Sequence, residues 1–258
     1  MPGNELVLVE RYGGTAVLTL NVPHRRNVLS AELVTAVGHA VDEIEADPQA
    51  RCIVVTGAGS AFCAGAELST LTGAADGDFD GVRVIYDGFL RILHSPLVTI
   101  AAVNGPAVGA GFNLALACDV RLAGEGALFD SRFAKLRIHP GGGNLWMLIQ
   151  AVGAQRATLA TVFGERWDAR AALDSGLVAA VHPADDLVPA AIALGRRLDD
   201  QEPEYVKRLI QTVRDSVSTG THAEALAAET AAQEWSTTRP AFRAGVTEML
   251  ATVRRRST

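Results

Sequence analysis

The sequence predicts an α/β fold, because short β-branched runs alternate with segments of helical periodicity over most of the chain. The runs "LVLVE" and "TAVLTL", joined by "RYGG", predict a hairpin, and "RCIVVTG" and "LVTIAAVNG" predict buried strands. Ser30 predicts a helix N-cap, and the apolar spacing after it predicts a helix that ends near Asp47. Strands that alternate with helices in this way favour parallel pairing.

The remaining elements continue this alternation. We interpret "AGSAFCAGAEL" and a mobile "TGAADGDFDG" as loops before a helix at 82–93, and "PAVGAG" as a loop before the helix "FNLALA". "CDVRLAG" predicts a strand, "LWMLIQAVG" and "AQRATLATVFG" predict two helices, and residues 168–194 predict helix, strand and helix. Segments near 203–217, 222–236 and 239–254 predict helices alone. We therefore expect a core at 1–200 and a C-terminal helical region at 201–258.

The composition indicates an ordinary globular protein, with 48% apolar and 20% charged residues among 258. A net charge of −6 gives no indication of a nucleic-acid partner or an anionic membrane. Three cysteines without zinc-ligand spacing indicate a reducing compartment and predict no metal site. The apolar stretch 97–118 contains two asparagines, a proline and three glycines, and the opening "MPGNELVLVERYGG" lacks a signal-peptide pattern. We therefore expect a cytoplasmic protein without a membrane span.

Two loops share one plan, in which a β-branched strand is followed by small residues and then a helix. These loops are "VTGAGSAFCAGAEL" and "VNGPAVGAGFNL". The first N–H groups of a helix have no internal acceptor, so two such helix starts facing one carbonyl oxygen would form an oxyanion hole. Close packing of strand on helix also favours small residues, and the spacing alone leaves both interpretations open.

Other known glycine-containing motifs match the sequence less well. "GAGFNLA" carries two glycines of the dinucleotide fingerprint, but Leu114 stands in place of the third, and a proline-containing loop separates the strand from Gly109. The sequence also contains no P-loop and no Gly-x-Ser-x-Gly elbow, which disfavours a nucleotide site and a serine hydrolase.

The segments "AFCAGAEL", "VNGPAVGAGFNLALACDVRLAGEGALF" and "HPGGG" resemble the crotonase, or enoyl-CoA hydratase/isomerase, superfamily. "LNVPHRRNVLS" resembles its first CoA-contacting segment and "ALDSGLVAAVHPADDL" its late helix, strand and helix, so the resemblance covers nearly the whole chain. It implies a crotonase-like spiral of ββα repeats, followed by helices that mediate formation of a homotrimer, which often pairs into a hexamer. It also implies an acyl-CoA ligand and no prosthetic group, since CoA enters as part of the thioester substrate.

The resemblance also implies roles for individual residues. The family holds a thioester oxygen between two backbone N–H groups, and the matching donors are Ala66 and Ala110. The second is usually glycine, and the alanine methyl group would narrow the pocket. The implied CoA contacts are Arg25 or Arg26 and the backbone near Ala64, Ala66 and Leu68. A solvated surface turn is the alternative interpretation of the two arginines.

Catalysis is where the sequence departs from the family pattern. Family hydratases use two glutamates, and the matching positions hold Asn113 and Phe133. An amide has no proton-transfer pKa in the working range, although it can orient water or a carbonyl group. The resemblance therefore implies the family framework without two-glutamate hydration.

Other residues of "FDSRFAKLRIHPGGG" are candidates for proton transfer, chiefly Asp130 and His139. Each has a structural alternative: Asp130 could cap a helix that begins at Ser131 or Arg132, Lys135 could be solvated, and His139 could fix the turn at Pro140. Glu67 beside a donor is interpreted as structural, and Cys63 and Cys118 as packing residues.

Three hypotheses follow. The first is a lyase or isomerase that acts on acyl-CoA thioesters, in fatty-acid or related metabolism, with a non-standard acid–base set. The second is a non-catalytic acyl-CoA binding or carrier protein, which the loss of both glutamates and an apolar Phe133 in the acyl pocket would suit. The third is a purely structural member of the fold.

Overall fold

The computed structural model describes residues 5–256, and their side chains except those of Ala75 and residues 250–256. Residues 1–4 and 257–258 lie outside the described part. They include the ends of both predicted regions and the first four residues of the opening "MPGNELVLVERYGG". The strands are β1 Val7–Tyr12, β2 Thr15–Leu20, β3 Cys52–Gly57, β4 Val98–Val103, β5 Pro106–Val108, β6 Val120–Gly124, β7 Leu128–Asp130, β8 Trp167–Asp168 and β9 Ala180–His182. The helices are α1 Ala31–Glu45, α2 Leu68–Ala75, α3 Asp80–Leu93, α4 Ala110–Leu116, α5 Phe133–Leu136, α6 Asn144–Thr161, α7 Ala169–Asp174, α8 Ala184–Arg196, α9 Pro203–Ser218, α10 His222–Thr237 and α11 Pro240–Arg256.

The main sheet has the strand order β1-β2-β3-β4-β6-β9. The hairpin partners β1 and β2 are antiparallel, and every later neighbour pairs in parallel. A second, three-stranded sheet has the order β5-β7-β8, with β5 parallel to β7. The α/β prediction with parallel pairing is therefore confirmed, and so is the hairpin.

The inner strands β2, β3 and β4 of the main sheet are buried on both faces, as continuous apolar strands require, whereas the edge strand β1 is largely exposed. In β3, Ile53 and Val55 belong to one apolar cluster, which also holds the buried side of α1. The alternate residues Cys52 and Val54 belong to a second cluster, to which α8 contributes Leu187 and other residues. Strand alternation thus divides β3 between two cores.

Several predicted boundaries agree with the structure. The Ser30 side chain accepts a hydrogen bond from Leu33 N, which confirms the predicted cap of α1. The two helices predicted around residue 153 form α6, which is interrupted at Gly153 with φ 75° and ψ 164°. The three C-terminal helices begin and end within two residues of their predicted bounds.

Two loop predictions are wrong. Residues 72–75, expected in a mobile loop, lie in α2, and residues 106–108, expected in a loop, form β5. The short strands β7 and β8 were not predicted either. Strands of two or three residues are too short to show an alternating pattern, and Pro106 at the start of β5 suggests a loop instead.

The chain divides into two compact units between Asp199 and Asp200. In the second unit, α10 begins with a capping box between Thr221 and Glu224. The Trp235 ring has the Arg208 guanidinium at 4.7 Å and the Arg239 guanidinium at 5.2 Å from its centroid. Arg239 also pairs with the Glu202 carboxylate, which holds the pKa of that carboxyl below its ordinary value.

Candidate active site

The two loops that share a plan lie side by side and are joined through their backbones. Cys63 N donates to Pro106 O at 3.1 Å, and Val108 N donates to Cys63 O at 3.0 Å, which forms a parallel bridge between Cys63 and Ala107. A Cβ atom on Gly111 would lie 2.0 Å from Cys63 O. Only glycine therefore lets the start of α4 approach the first loop this closely.

This bridge brings the predicted donors Ala66 and Ala110 to neighbouring positions. Gly65 has a φ of +103°, and a Cβ atom on it would lie 2.7 Å from Val108 O and 3.8 Å from Ala110 N. Ala110 is the first residue of α4, and Ala66 lies two residues before α2. Within residues 5–256, neither of the two N–H groups donates to a protein acceptor. Two free backbone donors are therefore presented by adjoining loops.

Two asparagines, the buried Asn27 and the half-buried Asn104, brace the first of these loops. Asn27 Nδ2 donates to Ala61 O at 2.8 Å, and its Oδ1 accepts from Val22 N at 2.9 Å. Asn104 Nδ2 donates to Gly59 O at 3.0 Å. The sequence gives no signal for these bonds, because each amide joins segments that are distant along the chain. They fix the path of the backbone before Ala66.

The predicted CoA-contacting residues gather around the turn that follows β2. Ala64 N donates to Arg26 O at 3.0 Å, so the arginine turn lies against the loop that carries Ala66. The Arg25 guanidinium pairs with the Glu67 carboxylate. Arg26 is exposed, and its side chain makes no ion pair within the described residues. Leu68 begins α2 and is 70% exposed.

Asn113 forms hydrogen bonds with the loop before α6 and with Asn144, the first residue of that helix. Its Nδ2 donates to Gly141 O at 3.1 Å, and its Oδ1 accepts from Asn144 Nδ2 at 2.6 Å. Asn113 is 2% exposed, and the Oδ1 of buried Asn144 makes no hydrogen bond. Asn113 lies one helical turn after Ala110, on the same side of α4. Its amide therefore joins the predicted donor helix to the Gly141 loop.

Asp130 is held by its own turn. Its carboxylate accepts from Arg132 N at 2.8 Å, Arg132 Nε at 2.9 Å and Arg132 Nη2 at 2.7 Å. The expected helix cap by Asp130 is wrong, because α5 begins at Phe133, its N-cap residue is Arg132, and no side chain caps it. The carboxylate instead fixes the turn before α5 through Arg132. Beside it lies a cavity of about 170 Å³, lined by Asp130, Arg132, Ala134, Lys135, Gly164 and Arg166.

His139 and Phe133 differ in their surroundings. His139 is exposed, and its Nδ1 lies 2.7 Å from Pro140 O. Because a carbonyl oxygen only accepts, this Nδ1 carries the proton, and Nε2 makes no hydrogen bond within the described part of the chain. Phe133 is half-buried at the start of α5. No hydrogen bond joins His139 to Asp130 in that same part, so the structure does not bring the two candidates together as a pair.

The cysteines fit the packing interpretation. Burial raises the pKa of the Cys63 thiol to about 12 and raises that of Cys52 as well. A thiol with such a pKa stays protonated near neutral pH and is a poor nucleophile. Among the described residues, no group of three or more His, Cys, Asp or Glu side chains is arranged to hold a metal ion.

Comparisons with known proteins agree with this arrangement of elements. Residues 10–254 match the family model described as enoyl-CoA hydratase/isomerase. The chain belongs to the enoyl-CoA hydratase/isomerase family.

Members of this family with a range of names resemble the chain. A probable enoyl-CoA hydratase of Mycobacterium tuberculosis (strain CDC 1551 / Oshkosh) is 49% identical over 207 residues, 80% of each chain. The 1,2-epoxyphenylacetyl-CoA isomerase of Escherichia coli (strain K12) is 33% identical over 252 residues, 96% of each. A crystal structure of an enoyl-CoA hydratase from Bacillus anthracis is 28% identical, with a TM-score of 0.89 over 96% of both chains.

The crotonase-like fold expected from the sequence is thereby confirmed. Relatives with both hydratase and isomerase names also support an enzyme of this family. Over residues 5–256, no helix combines the length and the apolar character needed to cross a membrane.

Proposed function

We propose that the chain binds an acyl-CoA thioester and stabilises its enolate between the N–H groups of Ala66 and Ala110. The supporting observation is the pair of unbonded backbone donors on two loops joined through Cys63. Removal of a proton next to the thioester carbonyl moves negative charge onto its oxygen, where two fixed donors stabilise it. Preorganised main-chain donors need little rearrangement as this charge develops.

CoA itself binds along the turn after β2. Arg26 offers an exposed, unpaired guanidinium to a phosphate, while Arg25 is partly occupied by Glu67. The backbone at Ala64 and Ala66 and the exposed Leu68 complete this surface. The first unit acts as the binding core, and the C-terminal helices serve assembly into a homotrimer or a pair of trimers. The protein acts in the cytoplasm, in fatty-acid or related acyl-CoA metabolism.

The reaction is a lyase or isomerase step that does not use two glutamates. Asn113 and Phe133 occupy the glutamate positions, and the Asn113 amide is bonded on both sides. His139 is the better placed of the two candidate proton-transfer residues because its Nε2 is free, whereas the Asp130 carboxylate is bonded to Arg132. A CoA thioester panel, including crotonyl-CoA and longer enoyl-CoA compounds, is the direct test of activity.

Replacing Ala110 with proline tests the oxyanion hole. Proline is accepted at the first position of a helix but has no N–H, so Ala110→Pro removes the donor and keeps α4. We expect kcat on the best thioester of the panel to fall about 100-fold. Ala31→Pro, at the first position of α1, is the matched control and keeps wild-type turnover. Equal kcat in all three proteins would refute the role of Ala110.

A second candidate function is favoured by the same absence of carboxylates. If Asn113 and Phe133 serve retention of the acyl chain, the chain is an acyl-CoA carrier. This version predicts calorimetrically measurable binding of acyl-CoA without turnover of any thioester. Product formation that falls in His139→Ala would decide for the enzyme, whereas tight binding with no product would decide for the carrier.

A further inference from the structure

The α3 residue Tyr86 lies against the loop that Asn113 holds. A Cβ atom on Gly141 would lie 2.1 Å from Tyr86 Oη, so the phenol occupies the space that a side chain at position 141 would fill. Gly141 O accepts from Asn113 Nδ2 at 3.1 Å. Asn113 in turn lies one turn after Ala110 on α4. Contacts therefore lead stepwise from Ala110 through Asn113 and Gly141 to the Tyr86 hydroxyl.

The ring of the half-buried Tyr86 lies among aromatic neighbours, and its hydroxyl lies against the Gly141 backbone. The Phe89 ring centroid lies 5.8 Å and the Phe79 centroid 6.5 Å from that of Tyr86. Within the described residues, Tyr86 Oη makes no hydrogen bond to protein. Partial burial raises the pKa of the phenol above its ordinary value, which the nearby Arg83 charge opposes. The phenol is therefore neutral near pH 7 and is available as a hydrogen-bond donor.

We propose that Tyr86 determines acyl-chain specificity by donating a hydrogen bond from its hydroxyl to an oxygen atom carried on the acyl chain. This inference rests on the proposed acyl-CoA binding. In this proposal the acyl chain extends from the thioester oxygen at Ala110 towards the surface formed by Gly141 and Tyr86, while Asn113 holds Gly141 from the buried side. Tyr86 is half-buried, so an acyl chain that covers its hydroxyl displaces water, and a chain without an acceptor then leaves the hydroxyl unpaired. A site with an unpaired donor discriminates against such a chain.

The inference is tested by comparing acyl chains of one length with and without an added oxygen. Dissociation constants are measured calorimetrically for hexanoyl-CoA, 3-oxohexanoyl-CoA and 5-oxohexanoyl-CoA. We expect Tyr86→Phe to weaken binding of at least one oxo compound by about fivefold to tenfold, with hexanoyl-CoA unchanged or bound more tightly. Tyr12→Phe, at an exposed position on β1, is the matched control and leaves all three constants unchanged.

The remaining outcomes separate the two proposals. If hexanoyl-CoA binds and Tyr86→Phe leaves the affinity of both oxo compounds relative to hexanoyl-CoA unchanged, the role of Tyr86 is overturned and acyl-CoA binding stands. If the wild-type protein binds none of the three compounds, the proposed function fails, and the specificity role fails with it. An equal loss for all three in Tyr86→Phe would mean that the ring only supports the loop, which also overturns the inference.

Discussion

Asn113, at the position where the resemblance implies a glutamate in family hydratases, joins α4 to the Gly141 loop and to Asn144. Its two bonds have a fixed direction, because Gly141 O accepts only and must face Nδ2, which leaves Oδ1 for Asn144. The network ends at Asn144 Oδ1, a buried acceptor without a donor. Such an atom lowers stability, so the Asn113–Asn144 pair is only partly satisfied.

Replacing Asn113 with aspartate reverses one bond of this network. A carboxylate oxygen would face Gly141 O, so we expect Asn113→Asp to lower the free energy of unfolding by about 1–3 kcal/mol at pH 7. Burial raises the pKa of the introduced carboxyl, and its protonated form can donate to Gly141 O again. The deficit relative to wild type should therefore shrink as pH falls through that raised pKa.

Urea unfolding of both proteins between pH 5 and pH 8 measures this change. Asn21→Asp is the matched control, since Asn21 Nδ2 also donates to a backbone carbonyl, Glu5 O at 2.9 Å, but at an exposed site. Its deficit should be smaller and nearly independent of pH in this range. A deficit in Asn113→Asp that grows towards low pH would contradict the assigned direction of the Gly141 bond.

At this scale, the motifs indicated which loops carry the candidate residues, but not which hydrogen bonds those residues form. The motifs located Ala66, Ala110 and Asn113, and the structure places all three around the same loops. Nothing in the sequence predicted that Asn113 bonds Gly141 and Asn144, or that Tyr86 reaches the same loop. Such contacts depend on how α3, α4 and α6 pack, and residue spacing within one helix carries no information about them.

At the scale of elements, the close contact of α4 with the first loop fixes the geometry of the candidate site. We expect Gly111→Ala to destabilise the protein by about 3 kcal/mol or more, because the added methyl group would overlap Cys63 O. Gly38→Ala is the matched control: Gly38 lies inside α1 with no atom within 4 Å of an added Cβ. That control should stabilise the protein by about 0.5–1 kcal/mol.

Thermal and urea unfolding distinguish these two substitutions. Similar stability of Gly111→Ala and the wild type would show that the loops separate easily and that their contact does not hold the donors.

The contact between the two loops also explains why residues 106–108 were wrongly predicted to form a loop. The strand β5 forms where Pro106–Val108 meets both β7 and the Cys63 bridge, and these partners lie outside any local sequence window.

The helix α2 forms although its local sequence does not favour a helix. Its residues "LSTLTGAA" contain a glycine and two β-branched threonines, and Glu67 provides no side-chain cap. Propensity alone therefore favours a loop there. Packing of α2 against α3 supplies the stabilisation that the local sequence lacks. The long helices α1 and α8, by contrast, could be predicted because their apolar faces recur at helical spacing.

At the scale of the whole molecule, each unit exposes large apolar side chains. In the first unit, Phe163 is 76% and Val162 68% exposed. Trp146 and Ile149 of α6 are also exposed. In the second unit, the exposed members are Leu209, Val213, Val217, Leu226, Phe242, Val246 and Met249. Apolar surface of this extent is typical of chains that associate. It supports the proposed assembly of identical copies.

Light scattering after size-exclusion chromatography measures that assembly. We expect the wild type to elute as a trimer or hexamer, and the double variant Leu209→Ser, Val213→Ser, on α9 of the C-terminal region, to shift to smaller species because it removes apolar contact area. Leu8→Ser, at an exposed position on β1, is the matched control and keeps the wild-type mass. A wild-type protein that elutes as a single copy would refute the proposed assembly.

The bridge between Cys63 and Ala107 has an evolutionary consequence. Both the proposed donors and the bonds that hold their loops together are main-chain groups, so most side-chain substitutions leave them in place. Side chains near these loops, such as Asn113 and Tyr86, can then change at a cost in stability while the main-chain groups stay in place. A lineage could exchange its proton-transfer chemistry or its choice of acyl chain by a few substitutions while it inherits the anion-stabilising groups unaltered.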